Sequence, residues 1–344
     1  MVQVVGPVRG AVAALLAAFW SGVFLLLLAV RRVTRGAEAL QPRRRPRPAL
    51  LDDPALGAHK FATVFGGIKL HYVEKGDRSK PLLLLLHGFP AFWYCWHYQL
   101  KALSQHYWVV AVDMRGYGES AKPEGRDSYD RQLVAQDLFH LVLSLGRQSC
   151  TVIGHDWGGI IAYELARLRS SLVEKLIIIN APHPDAMEEV LQHSWDQMFR
   201  SWYIYLFQLP WLPEQVMQLD DFNMFTKMFH ENPSARHHYP PEMVDAYKYT
   251  FGEPGALTPP LNYYRQNFGW RWHRGEPAQV ARVTCPLLVI WGERDRALSP
   301  LLATMAARYA DRFSVHLLPN ASHWAMMEEP DEVNEAIRGF ISGQ

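Results

Sequence analysis

Cysteine is scarce in this 344-residue chain. Cys95, Cys150 and Cys285 are widely spaced and odd in number. That pattern excludes a disulfide framework and a cysteine zinc cluster, and it fits a reducing compartment. Net charge is nearly absent as well, at +1, but what there is lies unevenly. Residues 31–50 carry seven arginines against Glu38, and residues 1–30 contribute only Arg9, so the chain from residue 51 onward stands at −6. A mildly acidic folded part speaks against a nucleic-acid surface and gives no nucleic-acid partner. With 49% hydrophobic residues, the length is ample for one large α/β domain with an insertion.

Charge is missing altogether from Gly10 to Val30, a run of 21 residues. A helix of that length crosses a hydrocarbon core of about 30 Å. A cleaved signal peptide has a shorter apolar region followed closely by small residues, whereas arginines follow here and the Ala37-Glu38-Ala39 triplet lies beyond three of them. The span is therefore expected to be retained as a single-pass anchor. Its basic cluster, Pro-interrupted at Pro42, Pro46 and Pro48, lies C-terminal to it, which by the positive-inside bias puts the catalytic part on the cytosolic side. The membrane expected is that of the endoplasmic reticulum (microsomal). The sequon Asn320-Ala321-Ser322 abuts a candidate catalytic histidine, where a glycan would crowd the site, and this also favours a cytosolic face. Residues 1–50 read as anchor and basic linker, and removing them is expected to leave an active soluble domain.

Lys60–Phe65 and Ile68–Glu74 flank Gly66-Gly67 as a hairpin. Leu82–Leu86 and Val109–Val112 are continuous apolar runs typical of central parallel strands. A helix is expected over about 129–145, a buried strand over Cys150–Ile153 and an apolar-periodic helix over Ile160–Arg169. Lys175–Asn180, Cys285–Trp291 and Phe313–Leu318 are further strands. Strands alternating with helices predict a mostly parallel sheet with helices on both faces, assembled from 51–182 and 276–344. The alternation stops between 183 and 275. That stretch holds 19 of the chain's 43 aromatic residues and reads as a helical lid forming an apolar roof over the sheet's carboxyl edge.

Serine is missing where a strand-turn-helix elbow would place it. Gly154-His155-Asp156-Trp157-Gly158-Gly159 carries an aspartate there, with small residues that let the backbone turn sharply and lift the side chain above the sheet. A carboxylate so placed is a covalent nucleophile, and its ester must be hydrolysed by other groups. An aspartate that merely caps the next helix explains neither the glycines nor the partners downstream. His87-Gly88-Phe89-Pro90 follows a strand and aims the amide of Phe89 at the point reached by the amide of Trp157, a candidate oxyanion hole. Gly292-Glu293-Arg294-Asp295 and Asn320-Ala321-Ser322-His323-Trp324 each follow a strand. Nucleophile, acid and histidine then occur in the order Asp156, Asp295, His323, that of α/β-hydrolases. Glu293 competes with Asp295 for the acid role, and motif position favours Asp295.

From about residue 51 to the C-terminus the chain resembles the α/β-hydrolase-fold epoxide hydrolases, most closely the membrane-anchored epoxide hydrolase 3 and epoxide hydrolase 4 branch. The resemblance runs through the motifs just named, Arg115-Gly116-Tyr117-Gly118, the lid motifs Phe207-Gln208-Leu209-Pro210-Trp211-Leu212-Pro213-Glu214 and Leu261-Asn262-Tyr263-Tyr264-Arg265, and His323-Trp324. It implies that two lid tyrosines hold the epoxide oxygen; these map to Tyr203, four residues before Phe207, and Tyr264, directly before Arg265. Tyr205 and Tyr263 are the nearest decoys. Ala91 departs from the family, where an acidic residue often follows the turn. The reaction implied is a two-step hydrolysis of a lipophilic epoxide, an epoxy fatty acid for example, to a vicinal diol, with no metal or organic cofactor. A haloalkane dehalogenase-like hydrolase is the alternative enzyme, although Phe89 stands where those enzymes often carry an Asn donor. A non-catalytic membrane-anchored binding protein of the same fold is the other alternative.

Overall fold

The computed structural model describes residues 5–268 and 282–343. Eight strands form one sheet: β1 (Ala58–Thr63), β2 (Lys69–Lys75), β3 (Leu82–Leu86), β4 (Trp108–Val112), β5 (Cys150–His155), β6 (Val173–Ile179), β7 (Val283–Gly292) and β8 (Ala310–Leu318), in the order β1-β2-β4-β3-β5-β6-β7-β8. β1 and β2 pair antiparallel with each other, and β2 pairs antiparallel with β4; the remaining pairs are parallel. Every residue of β3, β4 and β5 is buried, which is why β3 and β4 are continuous apolar runs rather than alternating ones. The hairpin expected from residue 60 begins two residues earlier. The Val64 amide donates to the Ile68 carbonyl at 2.8 Å, which closes the turn over Phe65–Gly67 and takes Phe65 out of the strand. Gly66 and Gly67 both have positive φ there, 75° and 77°.

Thirteen α-helices are present among the described residues. α1 (Val5–Arg35) is followed by α2 (His97–Leu103), α3 (Arg131–Ser144) and α4 (Trp157–Leu168). Six lie between β6 and β7: α5 (Pro184–His193), α6 (Trp195–Arg200), α7 (Trp202–Phe207), α8 (Leu212–Phe229), α9 (Pro241–Gly252) and α10 (Thr258–Asn267). α11 (Leu301–Met305), α12 (Ala325–Glu328) and α13 (Pro330–Ser342) complete the chain. The expected boundary at 275/276 between lid and core lies outside the described residues. Many rings of the insertion pack on one another: Phe225 lies 5.3 Å from Phe251, and Phe229 4.8 Å from Tyr239.

The basic residues at the end of α1 and beyond it are more than a tether. α8 is broken at Leu219–Phe222, where Asp220, Asp221 and Phe222 adopt positive φ. The break presents two carboxylates: Arg31 and Arg35 reach Asp220 at 3.1 and 3.3 Å, and Arg45 pairs with Asp221. Arg47 pairs with Glu119 at 2.8 Å and with Asp52 at 2.9 Å, just ahead of the buried Leu56. Removing residues 1–50 therefore also removes ion pairs to the lid.

Candidate active site

Register brings the loops together. Leu86 pairs with Gly154, so the turn after β3 lies beside the elbow after β5. β3 neighbours both β4 and β5, the point where the chain changes direction across the sheet and where open α/β sheets bind ligands. On the other side Gly292 pairs with Leu318, setting the loop carrying Asp295 beside the one carrying His323.

Asp156 sits at the elbow with φ 49° and ψ −120°, a conformation costly for a residue with a side chain. Close packing holds it there. A Cβ on Gly158 would strike the Leu86 carbonyl, one on Gly154 would strike the Gly158 carbonyl, and one on Gly88 would strike the Asp156 side chain itself. The Phe89 amide donates to Asp156 Oδ1 at 2.8 Å, and the Trp157 amide also favours the carboxylate. Burial pushes the Asp156 carboxyl up, against the pull of His323 and these amides. His87 holds the first loop. Its Nε2 accepts from the Met114 amide at 3.1 Å, which leaves Nδ1 to donate to the Gly88 carbonyl at 2.9 Å.

His323 Nδ1 lies 2.7 Å from Asp295 Oδ2, and its Nε2 lies 3.7 Å from Asp156 Oδ2. Asp295 is buried, whereas Glu293 is exposed. Burial works against a charged ring, but the carboxylates of Asp295 and Asp156 outweigh it and push His323 up to about 9. Three residues to which the motifs gave no role complete this half. Asn180, at the end of β6 with φ 43°, donates to Asp295 Oδ2 at 2.9 Å and accepts from the Gly292 amide at 3.0 Å. The Glu328 carboxylate takes the Ser322 amide at 2.7 Å and the Ser322 hydroxyl at 2.6 Å, pinning the loop ahead of His323. His155 Nε2 lies 2.9 Å from the His323 carbonyl. The strand-end position of Asn180 was the available signal; Glu328 carried none.

Above the carboxylate stands an aromatic roof. Tyr264 is buried, with ring centroids 5.3 Å from Phe89, 5.1 Å from Trp157 and 5.0 Å from Phe207; Tyr203 lies 6.0 Å from Tyr264. Burial first, and then the charge of Asp156, push both phenols above their ordinary value, so both keep their protons at neutral pH. Tyr263 differs: its hydroxyl donates to the Arg115 carbonyl at 2.8 Å, and this ties α10 to the core. Arg115 itself is held by Asp137. A surface cleft of about 430 Å³ between the basic segment and α8 is lined by none of these groups.

The arrangement sets the Asp156 carboxylate against backbone amides, with His323 3.7 Å away and two protonated phenols within reach of its charge. The alpha/beta hydrolase family model matches residues 83–336. The chain is 41% identical to epoxide hydrolase 3 of Xenopus tropicalis over 340 residues, covering 96% of this chain and 90% of that one. It is 40% identical to epoxide hydrolase 4 of Homo sapiens over 307 residues, covering 88% and 83%. Among solved structures, a Bacillus megaterium epoxide hydrolase in complex with an inhibitor matches with a TM-score of 0.76 at 32% identity, covering 82% of this chain and all of that one. The chain belongs to the α/β-hydrolase family, and within it to the epoxide hydrolases.

Proposed function

We propose that this enzyme converts lipophilic epoxides, epoxy fatty acids among them, to vicinal diols through a covalent ester on Asp156. The single observation that supports this most is the line Asp295, His323, Asp156, with one oxygen of the nucleophile on the Phe89 amide and the other facing His323. Asp156 Oδ2 attacks a ring carbon, the carbon–oxygen bond of the epoxide breaks, and Tyr203 or Tyr264 gives its proton to the departing alkoxide. Oδ1 becomes the ester carbonyl oxygen and already lies against the amides of Phe89 and Trp157.

Esterification removes the Asp156 charge, one of the causes that hold His323 up at about 9. The ring then gives up its proton more readily, and that proton restores the phenol. Neutral His323, oriented by Asp295, takes a proton from water as the water adds to the ester carbonyl. The tetrahedral intermediate collapses, the leaving alkoxide takes the second proton of the water, the diol departs with the oxygen that was Oδ2, and the carboxylate is regenerated beside protonated His323. No step calls on a metal or an organic cofactor.

The substrate class rests on the apolar roof and on α1, whose most apolar 18-residue window within Gly10–Arg35 has a mean hydropathy of 2.4 and is only 12% buried. Purified full-length protein is expected to form diols from long-chain epoxy fatty acids and aryl epoxides and to release no halide from chloroalkanes. Halide release without diol formation would overturn the reaction class. For location, we infer an endoplasmic-reticulum anchor with residues 51–344 in the cytosol. Protease added to sealed microsomes should digest that part, and its protection would reverse the topology.

A further inference from the structure

Helix α1 presents one face to the lid. Ala17, Trp20, Phe24, Leu28 and Arg31 recur at three- and four-residue spacing, so they share a side of the helix. Ala17 and Leu28 are buried, and Trp20 and Phe24 lie 4.7 and 5.9 Å from the Trp202 ring of α7. Leu15, Phe19, Leu26 and Val30 lie on the remaining surface and are 46% to 68% exposed.

Depth then becomes a constraint. A hydrocarbon layer of about 30 Å takes about 20 helical residues, and the charge-free run from Gly10 to Val30 has 21. None of it is spare. The ten residues from Gly10 to Phe19 rise only about 15 Å, so Trp20 sits near mid-span and Phe24 about 6 Å closer to the basic end. Trp202 stacks on Phe24 and lies tilted against Trp20. A lid held wholly in water cannot make those contacts while α1 spans. Beside α7, the short helix α6 exposes Trp195 by 46% and Phe199 by 54%, four residues apart with rings 6.4 Å from each other. Large aromatics of this kind are enriched at membrane interfaces. Arg32 and Arg35 at the end of α1 stand where anionic head groups lie.

We propose that the lid itself docks on the phospholipid bilayer. α7 carries Trp202 into the acyl layer alongside α1, and α6 sinks the side carrying Trp195 and Phe199 toward the interface beside it. The wall that carries Tyr203 then stands at the lipid boundary, and an epoxide dissolved in the bilayer reaches the site without crossing water. This rests on the reading above that α1 spans a membrane.

Depth-dependent quenching separates the two. Cys95, Cys150 and Cys285 are all buried, so a thiol-reactive, polarity-sensitive dye goes to a cysteine introduced at the surface. Full-length Phe19→Cys, Phe199→Cys and Ser79→Cys would each be labelled and reconstituted into vesicles of phosphatidylcholine and phosphatidylserine. Position 79 lies in the exposed turn before β3, at the sheet end opposite the site. Emission from 19 and 199 is expected to shift to the blue and to be lost to spin-labelled lipid, with 79 quenched by iodide alone. Quenching of 19 by lipid while 199 behaves like 79 overturns lid docking and leaves the anchor standing. A 199 probe shielded from both quenchers also overturns it, because that marks a face between two copies of the chain. If 19 is not quenched by lipid, the spanning reading falls and docking falls with it.

Discussion

His323→Gln is expected to alkylate normally and then stall, accumulating protein heavier by the mass of one substrate. Opening the epoxide needs the Asp156 carboxylate and a proton donor, and the substitution removes neither, the Phe89 and Trp157 amides still holding the carboxylate. Hydrolysing the ester needs a base within reach of the water, and glutamine has no basic nitrogen to replace the imidazole that Asp295 orients at 2.7 Å. Losing a positioned general base costs about 10²–10⁴-fold, and it falls entirely on the second step. Intact-mass spectra after mixing with a long-chain epoxide read this directly. A His323→Gln protein that stays at its unmodified mass while its turnover collapses would place the histidine in the first step and refute its assignment.

The double change Tyr203→Phe/Tyr264→Phe is expected to do the opposite, slowing ester formation by about 10²–10⁴-fold while leaving hydrolysis of a preformed ester nearly unchanged. Each phenol is held protonated by burial and by the Asp156 charge, and the two rings lie 6.0 Å apart over one carboxylate. Either alone supplies one donor to the developing alkoxide, so single changes should cost less than the double. Tyr263→Phe should spare the alkylation rate per folded molecule and lower stability, by about 1 kcal/mol for the lost bond to the Arg115 carbonyl. Single-turnover alkylation rates and thermal melts distinguish the cases. Tyr263→Phe slowing alkylation more than the double change would remove the donor assignment.

How much of this was readable in advance follows from what each residue does. Leu82–Leu86 is read from sequence to the residue because a strand buried on both faces admits only apolar side chains. The elbow is equally plain, since Gly154 and Gly158 face backbone with no room for a Cβ. β7 runs from Val283, two residues before the expected start at Cys285, and α4 begins at Trp157, three before the periodic pattern, because chain ends are set by hydrogen bonds that hydrophobic spacing does not record. Asn180 offered only its strand-end position, and Glu328 offered no signal, as support for Asp295 and His323. Asn180 acts on a residue 115 positions away, brought beside it by the neighbouring of β6 and β7, and Glu328 acts six positions back through the turn after β8, whose path no periodicity records. The ion pairs of Arg31, Arg35 and Arg45 with Asp220 and Asp221 were hidden for the same reason, and because an arginine cluster after an apolar span reads as a topology signal.

The central claim is that Asp156, rather than water, attacks the epoxide. A single turnover in ¹⁸O-water with enzyme in excess over substrate tests it most directly. Covalent attack by Asp156 sends its own Oδ2 out with the diol, so first-turnover diol should be largely unlabelled and one ¹⁸O should appear in the peptide containing Asp156. Diol fully labelled in the first turnover, with an unlabelled Asp156, would contradict the covalent mechanism.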